Sequence, residues 1–144
     1  MKKLKVYIAA AWHRQAEMAA LAEELKSATG VEITSRWLHE IPAKGSKLKK
    51  DRSKRLWAKR DVQDVRKADV LVRFTDDLSR EFIPSQWATG SRMFEMGLAF
   101  ERKMHVIVVG GYQPVFDYLP EIIHVRHLSE LKNLLRSLNK QEKK

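Results

Sequence analysis

The sequence predicts an α/β protein with one doubly wound, Rossmann-like or flavodoxin-like domain spanning residues 1–144, built on a mainly parallel sheet of four or five strands. Short, continuously apolar runs alternate along the chain with amphipathic segments of helical period. The apolar runs lack the apolar–polar alternation of a sheet that faces water, so we expect helices on both faces of the sheet. With 144 residues, 44% of them hydrophobic, the chain is large enough to bury one core without disulfides.

Each predicted element has its own pattern in the chain. Met18, Leu21 and Leu25 recur at helical spacing before Gly30, which stops the first helix. Apolar runs predict strands at residues 4–10, 31–37, 69–74, 104–111 and 121–125, and helices lie between them at residues 13–29, 55–68, 90–102 and 128–138. Ligands of open α/β sheets bind beyond the carboxyl ends of the strands, so we expect the functional residues within 9–13, 36–39, 75–90 and 110–118.

The net charge of +10 is concentrated in two short segments. Residues 44–60 hold nine Lys or Arg and one Asp, and we predict that they form a basic loop. Residues 139–144 are predicted to form a flexible basic tail. The charges of the remaining residues cancel, so the basicity belongs to a loop and a tail rather than to the folded body.

Composition excludes several kinds of site. The chain has no cysteine, which rules out disulfides, thiolate nucleophiles and Cys-based zinc sites. Its five histidines form no H-E-x-x-H pair, and the phosphate-binding glycine motifs are missing, so we expect neither a metal nor a cofactor. No apolar run approaches the roughly 20 residues that cross a bilayer, and we expect a soluble, cytoplasmic protein.

Glu95 is the one carboxylate in the apolar stretch "GSRMFEMGLAF" at residues 90–100. On a helix that starts near Gly90, its neighbours are mostly apolar, and desolvation of that kind raises a carboxyl pKa and is typical of reactive acids. A second interpretation is equally open from spacing alone. Ser91, Glu95 and Arg102 fall on nearly one side of the helix and form a thin solvated stripe.

The stretch "RDVQDVRKAD" supplies further carboxylates. Asp61 and Asp64 are three residues apart and share a helix face, while Asp69 opens the next predicted strand. Pairing with the neighbouring Arg60, Arg66 or Lys67 makes these acids ordinary surface charges, and for any single one of them that is the favoured interpretation.

In order and spacing, these motifs resemble the nucleoside 2-deoxyribosyltransferase superfamily, and in particular a bacterial and phage branch of it. The superfamily also includes deoxynucleoside 5′-monophosphate N-glycosidases. "VYIAAAW" is similar to the family's first strand and following turn, and "FEMGLAF" matches its Glu-x-Gly-x-Ala signature. Asp61 lies eight residues before Asp69, as in the family pattern, and "VIVVGGYQPVFDYLPEI" is similar to the following strand and loop. The resemblance runs over most of the chain.

The resemblance implies a function for several residues. Glu95 takes the position of the nucleophile, which attacks C1′ of a 2-deoxyriboside to form a glycosyl ester. Asp61 takes that of the second acid, which protonates the leaving base or orients a sugar hydroxyl. Tyr7 lies near the sugar, and the turn from Ala10 to Trp12 lies beside the base or phosphate. The resemblance also implies a homo-oligomer, a dimer or higher, in which a neighbouring subunit closes each site.

The residues before the nucleophile bear on the substrate. Transferases of the family place an acid that meets the base six residues before the nucleophile, whereas the nucleotide N-glycosidases place a phosphate-binding serine there; this chain has Thr89. With Gly90, Ser91 and Arg92 at the predicted helix N-terminus, it forms an anion cradle that favours a phosphorylated substrate. Alternatively, Arg92 only caps the helix or pairs with Glu95. We expect transfer of the sugar to another base, with hydrolysis as the alternative.

A rival interpretation is a nucleic-acid or nucleotide binding protein. The basic residues 44–60 lie near Trp37 and contain Trp57, and they offer cations for phosphates and indoles for stacking. We therefore expect no more than a weak nucleic-acid contact through residues 44–60. We include Trp37 among the substrate-binding candidates. Against this interpretation, Trp57 lies at helical spacing with Val62 or Val65, which is more often a core position.

Overall fold

A five-stranded parallel sheet forms the centre of the structure. The computed structural model describes residues 2–75 and 85–144, and the side chains of all of these except residues 85–89. The strands are β1 (Lys5–Ala9), β2 (Glu32–Ile33), β3 (Val70–Phe74), β4 (His105–Val109) and β5 (Ile123–Val125), and their spatial order is β2-β1-β3-β4-β5. Each neighbouring pair is parallel. The predicted doubly wound α/β fold is confirmed, with five strands.

Four helices of the described residues cover this sheet. They are α1 (Gln15–Thr29), α2 (Lys47–Lys67), α3 (Ser85–Glu101) and α4 (Leu128–Glu142), and short 3-10 turns lie at Trp12–Arg14, Arg36–His39 and Val115–Tyr118. Helix α1 contacts α4, and α2 contacts α3, which gives one pair of helices for each face of the sheet. Within the described part of the chain, no helix combines the length and apolar character that a membrane crossing requires.

The central strands are buried because helices cover both of their faces. All five residues of β3 are buried, as are the last four residues of β1 and of β4. This explains the continuous apolar runs in the sequence, since neither set of alternating side chains faces water. The Asp69 carboxylate accepts a hydrogen bond from the Lys5 backbone nitrogen at 2.9 Å, at the point where β1 and β3 begin to pair.

The second strand is shorter than the sequence predicts. Only Glu32–Ile33 pair with β1, and the rest of the predicted strand 31–37 turns into the 3-10 segment Arg36–His39. Side chains replace the missing backbone ladder here. The Ile8 nitrogen donates to the Ser35 hydroxyl at 2.6 Å, and the Trp37 indole nitrogen donates to the Ile8 carbonyl at 2.7 Å.

The predicted basic loop at residues 44–60 is mostly helix. Helix α2 already begins at Lys47, and Ser46 caps it by accepting a hydrogen bond from the Lys49 backbone nitrogen at 3.3 Å. The prediction was wrong because a dense run of Lys and Arg was interpreted as a solvated loop. Lys, Arg, Leu and Ala are all good helix formers, so the same composition also suits an exposed helix.

Helix α3 begins earlier than predicted, at Ser85 rather than near Gly90. Gly90, Ser91 and Arg92 therefore lie inside the helix, where backbone N–H groups donate to carbonyls four residues earlier. The predicted anion cradle at a helix N-terminus is wrong for these residues. A glycine inside a helix costs only about 1 kcal/mol relative to alanine, so Gly90 did not need to mark a helix start.

The last helix includes most of the predicted basic tail at residues 139–144, because α4 continues to Glu142. Asn139 is buried rather than flexible. Its side-chain oxygen accepts from the Leu4 backbone nitrogen at 2.9 Å, and its amide nitrogen donates to the Thr29 carbonyl at 3.0 Å. These bonds join α4 to the C-terminal end of α1 and to the residue just before β1.

We expect Asn139→Ala to lower the free energy of unfolding by about 2–4 kcal/mol, because it leaves a buried N–H and a buried C=O without partners. Asn133→Ala is the matched control, since Asn133 is exposed on the same helix. Urea denaturation of both variants measures the difference. An equal, small effect of the two substitutions would contradict the structural role of Asn139.

Candidate active site

The strand order places a crevice between the carboxyl ends of β1 and β3. The chain leaves β1 toward α1 and β2 on one side, and it leaves β3 toward α3 and β4 on the other, so the sheet order reverses at this pair. A cavity of about 200 Å³ lies here. It is lined by Tyr7, Ala10, Trp12, Trp37, Glu40, Trp57, Asp61, Ser91 and Glu95. Seven of the predicted site residues are therefore brought together.

A second chamber of about 380 Å³ opens beside the first, between α2 and α3. Asp61, Ser91 and Glu95 line both chambers, and the remaining walls of the second are mostly apolar. The exposed Phe94 ring and Gly90 contribute to those walls. The two acids therefore lie at the junction between a polar crevice at the sheet and an apolar groove between two helices.

Glu95 points into the crevice from α3. Its Oε2 atom accepts a hydrogen bond from the Tyr7 hydroxyl. Burial raises the Glu95 carboxyl pKa to about 8, although the Tyr7 hydrogen bond and the nearby Arg92 charge lower it. Glu95 is thus a desolvated acid held by a β1 side chain, and the interpretation of Glu95 as part of a solvated helix stripe is wrong.

Tyr7 is buried on β1 directly opposite this carboxylate. Burial raises the pKa of the Tyr7 hydroxyl, and the negative charge of Glu95 raises it further. The phenol therefore keeps its proton and remains a hydrogen-bond donor. One oxygen of Glu95 is fixed by that donor, which orients the other oxygen of the same carboxylate.

Asp61 faces the same crevice from α2. Burial raises the pKa of the Asp61 carboxyl to about 7, the charges of Glu40 and Asp64 raise it as well, and Arg36 lowers it. Among the described residues, Asp61 Oδ1 has no hydrogen-bond partner although it is buried. A buried acceptor or acid of this kind is suited to meet a polar group of a bound molecule.

Glu40 is a third acid of the crevice that the sequence analysis missed. Burial raises its carboxyl pKa, and Arg60 lowers it. Its Oε1 atom is also buried without a hydrogen-bond partner in the described part of the chain. Glu40 follows the 3-10 turn Arg36–His39, and no motif or periodicity in the sequence marks such a position.

Asp64 has a structural role. It forms an ion pair with Arg36, with a distance of 2.9 Å from Nη2 to Oδ1. The Asp64 carboxylate also accepts from the Arg36 backbone nitrogen at 3.0 Å, so it anchors the 3-10 turn that carries Trp37 to helix α2. The suggested surface pair of Asp64 with Lys67 is wrong, because Arg36 comes from an element distant in sequence.

Three indoles form one wall of the crevice. The Trp12 ring centroid lies 6.2 Å from that of Trp37 and 6.1 Å from that of Trp57, and the Trp12 and Trp57 planes are inclined by 22°. Trp12 is 44% exposed and Trp37 is buried. Trp57 lines the crevice rather than the core, so its predicted core position is wrong. Its spacing four residues before Asp61 places it on the same face of α2, and that signal was available in the sequence.

Of the residues predicted to bind phosphate, Arg92 lies elsewhere. Arg92 is buried, donates from Nη1 to the Phe74 carbonyl at 2.9 Å, and lines neither chamber. The side chain of Thr89 lies outside the described residues. Within residues 2–75 and 85–144, no group of three or more potential ligands is arranged to hold a metal ion.

The fold and the crevice define a class of protein: a doubly wound α/β domain with partly buried acids and a wall of indoles at its switch point. Comparison with protein-family models and with curated proteins found no match. Among solved structures, the chain is similar to the CMP N-glycosidase BcmB of Clostridium botulinum, with a TM-score of 0.52 and 16% sequence identity. The match covers 94% of this chain and 98% of BcmB, so the two proteins share their fold over nearly their whole length.

The raised pKa of Glu95 predicts a pH-dependent cost to stability. The folded protein binds this proton more tightly, with a pKa of about 8, than the unfolded chain, where the usual value is 4.5. The stability from this group is complete below pH 4.5 and is lost as the pH rises toward 8. We therefore expect the wild type to lose up to about 1.4 kcal/mol per pH unit relative to Glu95→Gln in that window.

Urea denaturation at about pH 5 and about pH 8 measures this difference. Glu101→Gln is the matched control, because Glu101 is exposed at the end of the same helix. If the advantage of Glu95→Gln over the wild type were the same at both pH values, Glu95 would not be the desolvated acid described above.

Proposed function

We propose that the protein cleaves the N-glycosidic bond of 2′-deoxyribonucleosides or their 5′-monophosphates through a covalent intermediate on Glu95. The observation that carries this proposal is the pair of partly buried acids that line one crevice, with Glu95 on α3 and Asp61 on α2. Two carboxyl groups around a sugar are what a glycosidase requires.

Each acid has a separate part in the proposed reaction. A Glu95 oxygen attacks C1′ while the bond from C1′ to the base nitrogen breaks and its electron pair passes to the base. Asp61 donates its proton to that base, and the sugar remains as an ester of Glu95. Water or a second base then attacks C1′, Asp61 accepts the proton from water or from the incoming base, and Glu95 leaves as a carboxylate.

The other walls of the crevice support this assignment. Tyr7 holds Oε2 of Glu95, which leaves Oε1 as the atom that attacks the sugar. The indoles of Trp12 and Trp57 provide an aromatic surface for a nucleobase, and the acceptors of Glu40 and Asp61 that lack partners suit its N–H groups or the sugar hydroxyls.

Transfer and hydrolysis share the first step and differ only in the acceptor. The family resemblance favours 2-deoxyribosyl transfer to another nucleobase. The similar fold of a protein described as a CMP N-glycosidase favours the alternative, which is hydrolysis of a nucleoside 5′-monophosphate. As in the resembled family, we propose that the protein assembles as a dimer or higher oligomer.

Incubation with a panel of deoxynucleosides and their 5′-monophosphates, with and without a second free base, tests this function. We expect release or exchange of base, measured by chromatography, that falls by at least about a thousandfold in Glu95→Gln, because the amide is a far poorer nucleophile. Glu101→Gln is expected to keep full activity. New nucleoside that forms only with a second base identifies a transferase, and free sugar or sugar phosphate identifies a hydrolase. No reaction across the whole panel would contradict the proposal.

The pKa values also predict the pH dependence of kcat/KM. Glu95 must be ionised to attack and has a pKa of about 8, and Asp61 must be protonated to donate and has a pKa of about 7. We therefore expect kcat/KM to rise with pH as Glu95 ionises and to fall as Asp61 loses its proton. The result is a bell-shaped pH profile with its maximum between about pH 7 and pH 8.

Asp61→Asn tests the assignment of the descending limb. The amide cannot lose a proton in this range, so we expect that limb to disappear and kcat/KM to rise to a plateau, at a level lower by about 10²–10⁴-fold. A bell of unchanged shape in Asp61→Asn would contradict this role for Asp61.

A further inference from the structure

We propose that the substrate of this site is a nucleotide within a single-stranded polynucleotide, whose phosphates bind along one face of helix α2. That face is formed by Lys50, Lys54, Trp57 and Asp61, and we call it the α2 track. The inference rests on the proposed function for its catalytic meaning. It extends from the crevice, which Trp57 and Asp61 line, to the exposed Lys50 and Lys54 outside it.

The spacing of these residues aligns them along the helix. They lie at positions i, i+4, i+7 and i+11, which is the period of one helix face. At 1.5 Å per residue, Lys54 lies about 10 Å and Lys50 about 16 Å along the axis from Asp61. The track therefore leads outward from the acid in the crevice, past the indole of Trp57, to two cations about 6 Å apart.

The cations of this part of α2 are available to an anion. Lys50 and Lys54 are exposed. Within the described residues, none of the eight Lys and Arg between residues 47 and 60 forms an ion pair with an acid. The single acid in that stretch, Asp51, leaves a strong local excess of positive charge.

This charge opposes the stability of the helix that carries it. The first turn of α2 contains no acid, and Lys47, Lys49 and Lys50 lie at its N-terminal end, where the helix dipole favours negative charge. The buried residues of α2 are only Asp64 and Val65, both near its C-terminal end. The first half thus gains little from packing, and a bound polyanion would relieve both the dipole and the mutual repulsion.

The crevice favours a single strand over a duplex. A base inside a duplex is stacked and paired and does not reach an acid enclosed between two helices, whereas a base of a single strand does. The exposed Trp12 ring stacks near Trp57 at the inner end of the track. Aromatic side chains beside a line of cations are the usual means of holding single-stranded nucleic acid without sequence preference.

The test compares two double variants of equal charge. Lys50→Gln/Lys54→Gln removes the cations of the track, and Arg52→Gln/Lys59→Gln removes two exposed cations from the opposite face of the same helix. Binding of labelled strands of about twelve nucleotides, as DNA, as RNA and as a DNA duplex, is measured by fluorescence anisotropy with the full chain. Glu95→Gln is used throughout this measurement so that no probe is cleaved.

We expect a single strand to bind more tightly than the duplex, with roughly tenfold loss of affinity in the track variant and a smaller loss in the control. The slope of log affinity against log salt should become shallower by about 1.4 in the track variant, since each neutralised phosphate contact on a single strand contributes about 0.7. Equal losses in both variants, tighter binding of the duplex, or no binding would overturn the proposal. A comparison of the affinities for the DNA strand and the RNA strand shows whether the protein prefers deoxyribose or ribose.

An activity measurement separates this inference from the proposed function. With otherwise wild-type protein, we expect the track variant to lose base release from the strand and to keep its rate on a free deoxynucleoside. Base release from mononucleosides without strand binding would contradict the proposal of a polynucleotide substrate and would still support the proposed function. Track-dependent strand binding without base release from any substrate would contradict the proposed function and leave only strand binding by the α2 track.

Discussion

The parallel pairing of β1 with β3 is the constraint on which the rest of the structure depends. These strands are adjacent in the sheet although β2 and α2 lie between them in sequence, and their register is Val6 against Val70. Asp69 supports that register by accepting the Lys5 N–H. Because the chain diverges in opposite directions after β1 and β3, their carboxyl ends leave a crevice, and Tyr7 on β1 meets Glu95 on α3 inside it.

The same crevice holds the acids whose desolvation opposes the stability of the fold. Burial raises the carboxyl pKa values of Glu95, Asp61 and Glu40, and few donors compensate for that burial. By contrast, the buried Asp64 has an arginine partner and serves to hold the 3-10 turn that carries Trp37. The distinction between paired and unpaired acids separates the residues that maintain the fold from those that are available for chemistry.

The sequence predicted the sheet and the order of elements because these follow from local period. For the acids, periodicity left two interpretations open, and the family resemblance pointed to Glu95 and Asp61. Continuous apolar runs marked β1, β3 and β4 to within one or two residues. The predictions failed for elements whose secondary structure depends on contacts with other parts of the chain. Ser35 and Trp37 ended β2 early by bonding Ile8, and the buried contacts of Asn139 extended α4 into the expected tail. The start of α2 was missed because its run of charged residues was interpreted as a loop. The start of α3 was missed because Gly90 was interpreted as a helix start.

By itself, the sequence determined that the protein is a doubly wound α/β domain and that Glu95 is an acid among apolar residues, since periodicity and composition are local properties. Only the tertiary structure decided that Glu95 faces Tyr7, that Glu40 and Trp57 join the crevice, and that Arg92 does not. The reason is physical. Which side chains share a cavity depends on strand order and helix packing, and these are set by contacts between residues far apart in the chain.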